Sequence, residues 1–370
     1  MSGTILIAGG GPAGALLALR LARGGAAVTL VESGSGGGGK LCGEFLSGEA
    51  ARWLQEAGLE NLWDGLGGSA LHEVALHGAH ASAAAVRAPL PAPARGISRS
   101  VLDPALRAAA AAAGARIVTG ARVVSAAGGP GAWRVRLAGG GGELFAAALI
   151  AADGRRAALA QPLRVARAYF AMQFHFRQAA IDDATHLHFF SGGYCGVNGI
   201  EGGAGNCCFL LPRTQLAAAH ADPLRWLRAR LGQEFLAGAA EIPASRHATG
   251  PLQFGRWRNY AAGIFSLGDA AVAIDPFCGD GMAMAMEAAL LAAPGVAAAA
   301  ANPACAPALA AQLRAQLRKR FAPRLRASGL LRRAALHPAL GRFATALLAR
   351  HPGWLTALAA RTRFAPEAIA

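Results

Sequence analysis

The sequence predicts a mixed α/β fold: a parallel-sheet domain that opens on a βαβ unit, is interrupted by an antiparallel β-sheet, and runs into a helical C-terminal tail. Three observations predict it. The first 33 residues read strand, glycine turn, helix, strand, in "TILIAGG", "GPAGALLALRLARGG" and "AAVTLVES", which is the pattern of a crossover unit. Between 165 and 211 the hydrophobic period becomes two, in "ARAYFAMQFHFRQ" and "THLHFFSGGYCGVNGIEGGAGNCCFLLP", which marks antiparallel strands with "EGGAGN" as a turn. Beyond them, "GIFSLGDAAVAIDPFCGDGMAMAMEAALLAA" returns to strand, loop and helix.

The elements between these landmarks follow in order. A glycine-rich loop, "ESGSGGGG", leads to "KLCGEFLSGEA", a helix near 47 to 58 and a strand near 71 to 77, and the proline-rich "RAPLPAPARG" comes next. "SRSVLDPALRAAAAAAGARIVTGARVVSAA" reads as a helix ended by Gly114 and then a strand, and "WRVRLAGGGGELFAAALIAAD" as a hairpin with a glycine turn. A helix carrying Trp226 and Arg230 follows the antiparallel segment, and 301 to 366 is helical with proline breaks. No period of 20 to 50 residues repeats.

Composition bounds the class. With 370 residues the chain can bury a full core, and its 54% hydrophobic content is inflated by alanine, so it reads as globular rather than membranous. The N-terminus enters an apolar strand at once, leaving no room for a signal peptide, so a cytoplasmic location is expected. The longest uncharged stretch, "AALLAAPGVAAAAANPACAPALAAQL", carries Pro294, Gly295, Pro303 and Pro307, and those breaks make it a poor spanning helix. Six cysteines occur without a C-x-x-C pair, as expected of reduced structural thiols, and Cys207 and Cys208 project to opposite faces of a strand.

The net charge of +15 is uneven. Residues 301 to 366 hold twelve Lys/Arg and no acid, whereas residues 1 to 300 hold 24 basic and 20 acidic residues. A basic tail of this kind suits an acidic carrier protein or a membrane surface, with a solvated arginine-rich helix as the plain alternative. Nucleic acid is not expected as a partner.

Two motifs carry chemistry. "GGGPAG" supplies Gly9-x-Gly11-x-x-Gly14 between a strand and a helix. Gly9 permits the tight turn, Gly11 lets backbone approach a pyrophosphate, and Gly14 lets the helix pack on the strand. Glu32 closes the second strand, where an acid accepts hydrogen bonds from ribose hydroxyls and disfavours a 2′-phosphate. The second motif, at 263 to 289, ends a strand on Gly268-Asp269 and opens a helix on Gly279-x-Gly281.

Together these motifs resemble the FAD-dependent oxidoreductase superfamily of aromatic hydroxylases (group A flavin monooxygenases) and geranylgeranyl reductases. The resemblance covers roughly 1 to 160 and 250 to 295. It implies a glutathione-reductase-like FAD-binding Rossmann domain, discontinuous over 1–70, 96–160 and 250–300. An antiparallel β-sheet substrate domain is inserted at 71–95 and 161–249, and 301–370 forms the basic helical C-terminal region. FAD is the implied cofactor and NAD(P)H the implied electron donor. Asp269 is implied to bind the ribityl chain, with Pro276, Gly279, Gly281 and Met282 against the flavin ring. "ISRSVLDPALRAAA" resembles the segment whose arginine lies over FAD, here Arg99. "IAADGRRAALA" resembles the family's Asp-Gly motif at Asp153 and Gly154, although Ala157 and Ala160 stand where Ser and Arg are usual. Prenyl reductases show a Cys-Gly pair where Cys42 and Gly43 stand. Pro12, Ala13, Ser33 and Val123 complete the expected cofactor set.

The absent signatures order the reactions. Halogenases carry W-x-W-x-I-P and a catalytic lysine, but no two tryptophans here are two apart and Lys40 lies in the N-terminal loop. Prenyl reductases often show Y-x-W-x-F-P, whereas "YCGVNG" lacks the tryptophan. Hydroxylation of an aromatic or polyketide-like apolar substrate through a flavin C4a-hydroperoxide therefore leads. Reduction of prenyl or polyene double bonds and a non-catalytic flavin-binding module are the alternatives. Cys42, His175 and His188 are the candidate catalytic side chains. His186 and His188 share a strand face at ligand spacing, but sequence shows no third ligand, so no metal site is expected.

Overall fold

The first strand, β1 (Ile5–Ala8), is buried on both faces, as a continuous apolar run in a parallel sheet must be. In the computed structural model, which describes residues 3–35, 39–78, 85–139, 142–163, 169–177, 181–337, 347–351 and 353–361, β1 lies at the centre of a five-stranded parallel sheet. Its neighbours are β2 (Val28–Glu32) and then β6 (Arg116–Thr119) on one side, and β10 (Ala148–Ala151) and then β17 (Ile264–Ser266) on the other. Alternation divides the sheet between two cores. Ile5, Ile7, Leu30 and Ile150 pack under the helices α1 (Pro12–Arg23), α4 (Arg99–Ala112) and α7 (Gly281–Ala301). Leu6, Ala8, Val31 and Leu149 pack on Trp133, Val135 and Leu137 from a three-stranded sheet of β7 (Arg122–Ala127), β8 (Trp133–Ala138) and β9 (Glu143–Ala146). Trp53 and Leu54 of α2 (Glu49–Glu56) close the helical side, with α3 (Glu60–Gly65) beside it.

A nine-stranded sheet faces the carboxyl ends of the parallel strands. Its order is β15 (Ala240–Glu241), β11 (Tyr169–Arg177), β14 (Ala204–Pro212), β13 (Gly193–Gly199), β12 (Ala184–Phe190), β4 (Ser69–His77), β5 (Val86–Gly96) and β3 (Phe45–Leu46), with β16 (His247–Leu252) also on β11. Among the described residues every pairing in this sheet is antiparallel except β12 with β4. On one face Phe174, Phe176 and Phe209 pack against Ala219 and Trp226 of the helices α5 (Leu216–Ala221) and α6 (Pro223–Leu231). Ala171, Tyr194 and Leu210 look to the other face. As alternation requires, Cys207 packs in the first group while Cys208 lines the cavity described below.

Prolines sit inside regular elements, and the expected break at Pro294 is corrected. The proline-rich stretch is strand β5: its partner β3 reaches only Arg95 and Gly96, so Pro89, Pro91 and Pro93 lie on an edge, where a missing N–H costs no ladder bond. Nor does Pro294 break its helix. α7 runs through it to Ala301, because the proline ring is exposed while Ala292 and Val296 on either side are buried and hold the turn. Pro323 likewise lies inside α8 (Ala306–Leu336).

The C-terminal region folds onto the body. Arg320 pairs with Glu287 of α7 at 2.6 Å, Arg324 with Glu49 at 2.6 Å, and Arg332 with Asp275. A last helix, α9 (Gly353–Arg361), lays Leu355 on Val86 and Ala88 of β5. Among the described helices α7 alone is long and apolar enough to cross a membrane by composition, and most of it is buried in the protein.

Candidate active site

Between the two sheets, outside the carboxyl ends of β1, β2 and β10, lies a cavity of about 1210 Å³. Open α/β sheets bind ligands at this place. One end is walled by turns and charges from the parallel sheet. The other is an apolar chamber formed by Val74, Leu76, Leu187, Phe189, Leu210, Leu252 and Phe277, with Leu348 and Leu355 of the C-terminal region closing it.

The glycine turn at the polar end has no room for side chains. Gly9 has φ 106°, and a Cβ there would meet the Ala152 carbonyl oxygen at 2.3 Å; one on Gly14 would meet the Gly9 oxygen at 1.9 Å. The Arg99 guanidinium lies over Gly11, 3.1 Å from where its Cβ would stand. α1 begins at Pro12 with Gly11 before it and no side-chain cap, so its first amides remain for an anion. Glu32 accepts from the Gly10 amide at 2.8 Å, the Gly34 amide at 2.9 Å and Lys40 Nζ at 2.8 Å. Burial alone would raise its pKa, but Lys40 and those amides hold the carboxyl down to about 2. Glu32 is thus a fixed anion at the end of β2.

Arg99 is itself held. Asp103 one turn on grips it through two bonds of 2.7 and 2.8 Å, and this pair raises its pKa against the cost of burial. The N-terminus of α4 is capped from other elements: the Arg99 amide donates to Glu44 at 3.0 Å and the Ser98 amide to Glu201 at 2.8 Å. Glu44 holds a left-handed φ of 52°, a strain that a non-glycine residue sustains only under firm anchoring. The anchors are Arg99, the His175 ring at 2.6 Å, and the Ile97 amide bonded to the Glu44 carbonyl at 2.9 Å.

Farther along, Asp153 accepts from the Ala158 amide at 2.7 Å through one oxygen and leaves the other buried without a hydrogen-bond partner among the described residues. Asp269 makes no side-chain hydrogen bond among the described residues. Burial pushes both carboxyls up, as for groups awaiting a polar ligand. Gly279 has φ 70°, and a Cβ there would strike the Phe45 ring at 2.6 Å, so the loop before α7 is shaped by glycine. The expected cofactor residues Gly9, Gly11, Pro12, Ala13, Glu32, Ser33, Cys42, Gly43, Arg99, Val123, Asp153, Gly154, Asp269, Pro276, Gly279, Gly281 and Met282 all line the cavity. Gly14 stands behind it, packed on the turn.

The candidate catalytic residues fare unequally. Cys42 lies in the cavity wall in a loop stapled to the large sheet: its amide donates to Gln173 at 2.8 Å, and Asn206 donates to the Cys42 and Gly43 carbonyls at 3.3 and 2.8 Å. Burial pushes its thiol up, with Arg99 pulling the other way, so the thiol stays protonated at neutral pH. His175 is corrected: it is absent from the cavity wall and spends its ring on Glu44. His188 is corrected too. On β12, Thr185, Leu187 and Phe189 face the cavity, so His186 and His188 face away. His188 stacks on His77 with ring centroids 3.9 Å apart and meets the Phe235 edge at 5.0 Å.

Sequence reasoning missed the bridge between the two ends of the cavity. Asp275, just before the glycine loop, accepts from Tyr194 of β13 at 3.2 Å and pairs with Arg332 of α8, whose other nitrogen donates to Tyr169 of β11 at 2.7 Å. No local signal marks residues so far apart in the chain.

The sequence matches the FAD-binding domain family over residues 3–198. The chain belongs to that family. It is an FAD-dependent oxidoreductase, and the empty-handed carboxyls, glycine turn and helix termini described above fit FAD. Solved structures share the fold at low identity. A geranylgeranyl bacteriochlorophyll reductase-like protein from Thermoplasma acidophilum is similar at 20% identity and a TM-score of 0.75, over 90% of this chain and 88% of that one. PqsL from P. aeruginosa, solved with 2-aminobenzoylacetate, is similar at 20% identity and 0.71, over 92% and 99%. The halogenase PltM, solved with phloroglucinol and FAD, is similar at 17% identity and 0.71, over 88% and 74%. No curated protein matches the sequence.

Proposed function

We propose that this flavoprotein is a monooxygenase that hydroxylates an aromatic or polyketide-like apolar substrate, with NAD(P)H as electron donor. The observation that supports it is the continuity of the cavity. The glycine loop at Pro276–Gly281 opens directly onto the apolar chamber, and about 1210 Å³ exceeds the roughly 300–1,000 Å³ of a pocket for a single small ligand. FAD supplies the redox chemistry there. The protein's own part is to bind, orient and keep water out. Arg99 and the α1 amides would hold the pyrophosphate, Glu32 the adenosine ribose and Asp269 the ribityl hydroxyls, while the α7 N-terminus favours negative charge at its end of the site. Tyr194 and Cys208, which face the chamber, are held neutral by burial, so the chamber offers an uncharged wall to an uncharged substrate.

The test is substrate-dependent oxygen consumption with NAD(P)H, with one atom of labelled O₂ recovered in the product. Anaerobic saturation of a double bond in an unsaturated lipid would overturn this reading. That second reaction, on a prenyl or polyene substrate, is favoured by the leucine-lined depth of the chamber and by Cys42-Gly43 in its wall.

The basic C-terminal region is proposed to dock on an acidic carrier protein or a membrane surface. Its support is the exposed stripe of Lys319, Arg326 and Arg333, spaced seven apart on α8. Arg320, Arg324 and Arg332 point inward, so charge reversal of the stripe, not deletion of the region, is the clean test. Unchanged binding to acidic vesicles and to an acidic carrier would end the idea.

A further inference from the structure

The face of the large sheet turned away from the cavity carries three histidines that no step above uses. His77 of β4 and His188 of β12 are direct partners in the parallel ladder, and His186 lies one pair back on the same face, opposite Ala75. His77 Nε2 stands 2.9 Å from His186 Nδ1, and one nitrogen from each of the three rings falls within 4.8 Å of the others. The rings are half-buried; His77 stacks on His188 at 3.9 Å between centroids and lies tilted against His186 at 5.2 Å.

The surroundings of His186 point the same way. Its Nε2 meets Asp182 at 2.7 Å, and Asp182 is gripped by Arg87 at 2.6 Å, which also holds Glu73 at 2.8 Å. A carboxylate on the outer ring nitrogen fixes the tautomer and turns the lone pair of the other nitrogen inward, the arrangement that orients metal-ligating histidines. Arg87 is itself paired with two acids, Glu73 and Asp182.

We propose that His77, His186 and His188 bind one divalent transition-metal ion of the zinc class, with Asp182 orienting His186 and the fourth position left to water. Three imidazoles and an open position are a recognised zinc set, and Zn–N bonds near 2.0–2.1 Å ask for ring nitrogens about 3.4 Å apart. Binding would draw these nitrogens, now within 4.8 Å of one another, to that spacing by rotation of the side chains. The ion would clamp the parallel junction of β4 with β12. The opposite faces of the same two strands present Val74 and Leu76, and Leu187 and Phe189, to the chamber, so the clamp would stiffen its wall.

The test uses untagged, FAD-loaded protein stripped with a chelator and titrated with zinc by equilibrium dialysis. One zinc per chain should bind at micromolar free metal, and zinc-edge X-ray absorption should show three imidazole nitrogens. His77→Gln, His186→Gln and His188→Gln should each weaken binding by at least the roughly 10- to 100-fold that loss of an outer partner costs, and Asp182→Asn should fall within that range. His220→Gln, away from the cluster, should bind as the parent does. Where His77→Gln or His188→Gln fails to fold, the half-exposed His186→Gln and Asp182→Asn decide, with a zinc-dependent rise in Tm seen in the parent and diminished in both. Affinity unchanged in those two variants, absence of stoichiometric zinc in the parent, or a coordination shell with fewer than three imidazoles would overturn the proposal.

Discussion

The two ends of the one cavity are built by opposite rules. The cofactor end comes from short contiguous stretches, the glycine turn, Glu32-Ser33, Asp153-Gly154 and the 268–281 loop, and each contributes backbone shape or a single charge. The chamber end comes from alternate residues of β4, β12, β13, β14 and β16, together with leucines from beyond residue 330. Phosphates and ribose hydroxyls are small, charged or polar, and are met by local geometry. An apolar substrate is met by a surface assembled from distant strands. The first can be read in a line of sequence; the second exists only after folding.

The largest expected effect breaks the bridge between the ends. Replacing Arg332 with Met leaves the buried Asp275 carboxylate without its cation, and removing one partner of a buried pair costs about 3–5 kcal/mol. Chemical denaturation should show that loss, with weaker flavin retention because Asp275 precedes the glycine loop. Stability and flavin binding equal to the parent would mean that the two ends are independent.

Next in size is Gly9→Ala. The added Cβ meets the Ala152 oxygen at 2.3 Å with φ at 106°, a strain of about 1–3 kcal/mol, and the expected protein is colourless on purification. A yellow variant with an unchanged melt would refute the close-packed turn. Leu187→Trp, at the other end, should retain FAD and raise the substrate KM about tenfold, which corresponds to about 1.4 kcal/mol. If it lost flavin instead, the division of the cavity into two ends would be wrong.

The same division governs what could be read from the sequence. Gly9, Gly11, Gly14 and Glu32 could be read because their motif encodes its own local geometry, whereas Asp269 and Arg99 were implied only by the family resemblance of their segments. Period two shows that Leu187 and His188 point to opposite faces, but not which face looks inward, so sequence alone left His188 as a candidate for the cavity. The side is set by helices α5 and α6 covering the other face, a packing choice made far from β12. His77 escaped for a related reason: it lies 109 residues from His186, and only the parallel register of β4 with β12 brings them together. The inward arginines of α8 were hidden by composition, since Arg320, Arg324 and Arg332 look in sequence like their exposed neighbours Lys319, Arg326 and Arg333.

The smallest effect lies behind the seam between the ends, where His175 meets Glu44. Burial works against charge on His175, but the Glu44 carboxylate 2.6 Å away raises its pKa above the ordinary value. A raised folded-state pKa favours the protonated ring in the native protein. The stabilisation is therefore fully present below the unfolded histidine pKa of about 6.5 and is lost as pH climbs through the higher folded value. The stability gap between the parent and His175→Gln should be wider near pH 6 than near pH 9. Urea unfolding at the two pH values measures it, using protein matched for flavin content. A gap that widens toward pH 9 would show a neutral imidazole at this position. Glu44 would then hold its left-handed turn through the Arg99 amide and its own backbone, without an ionic partner.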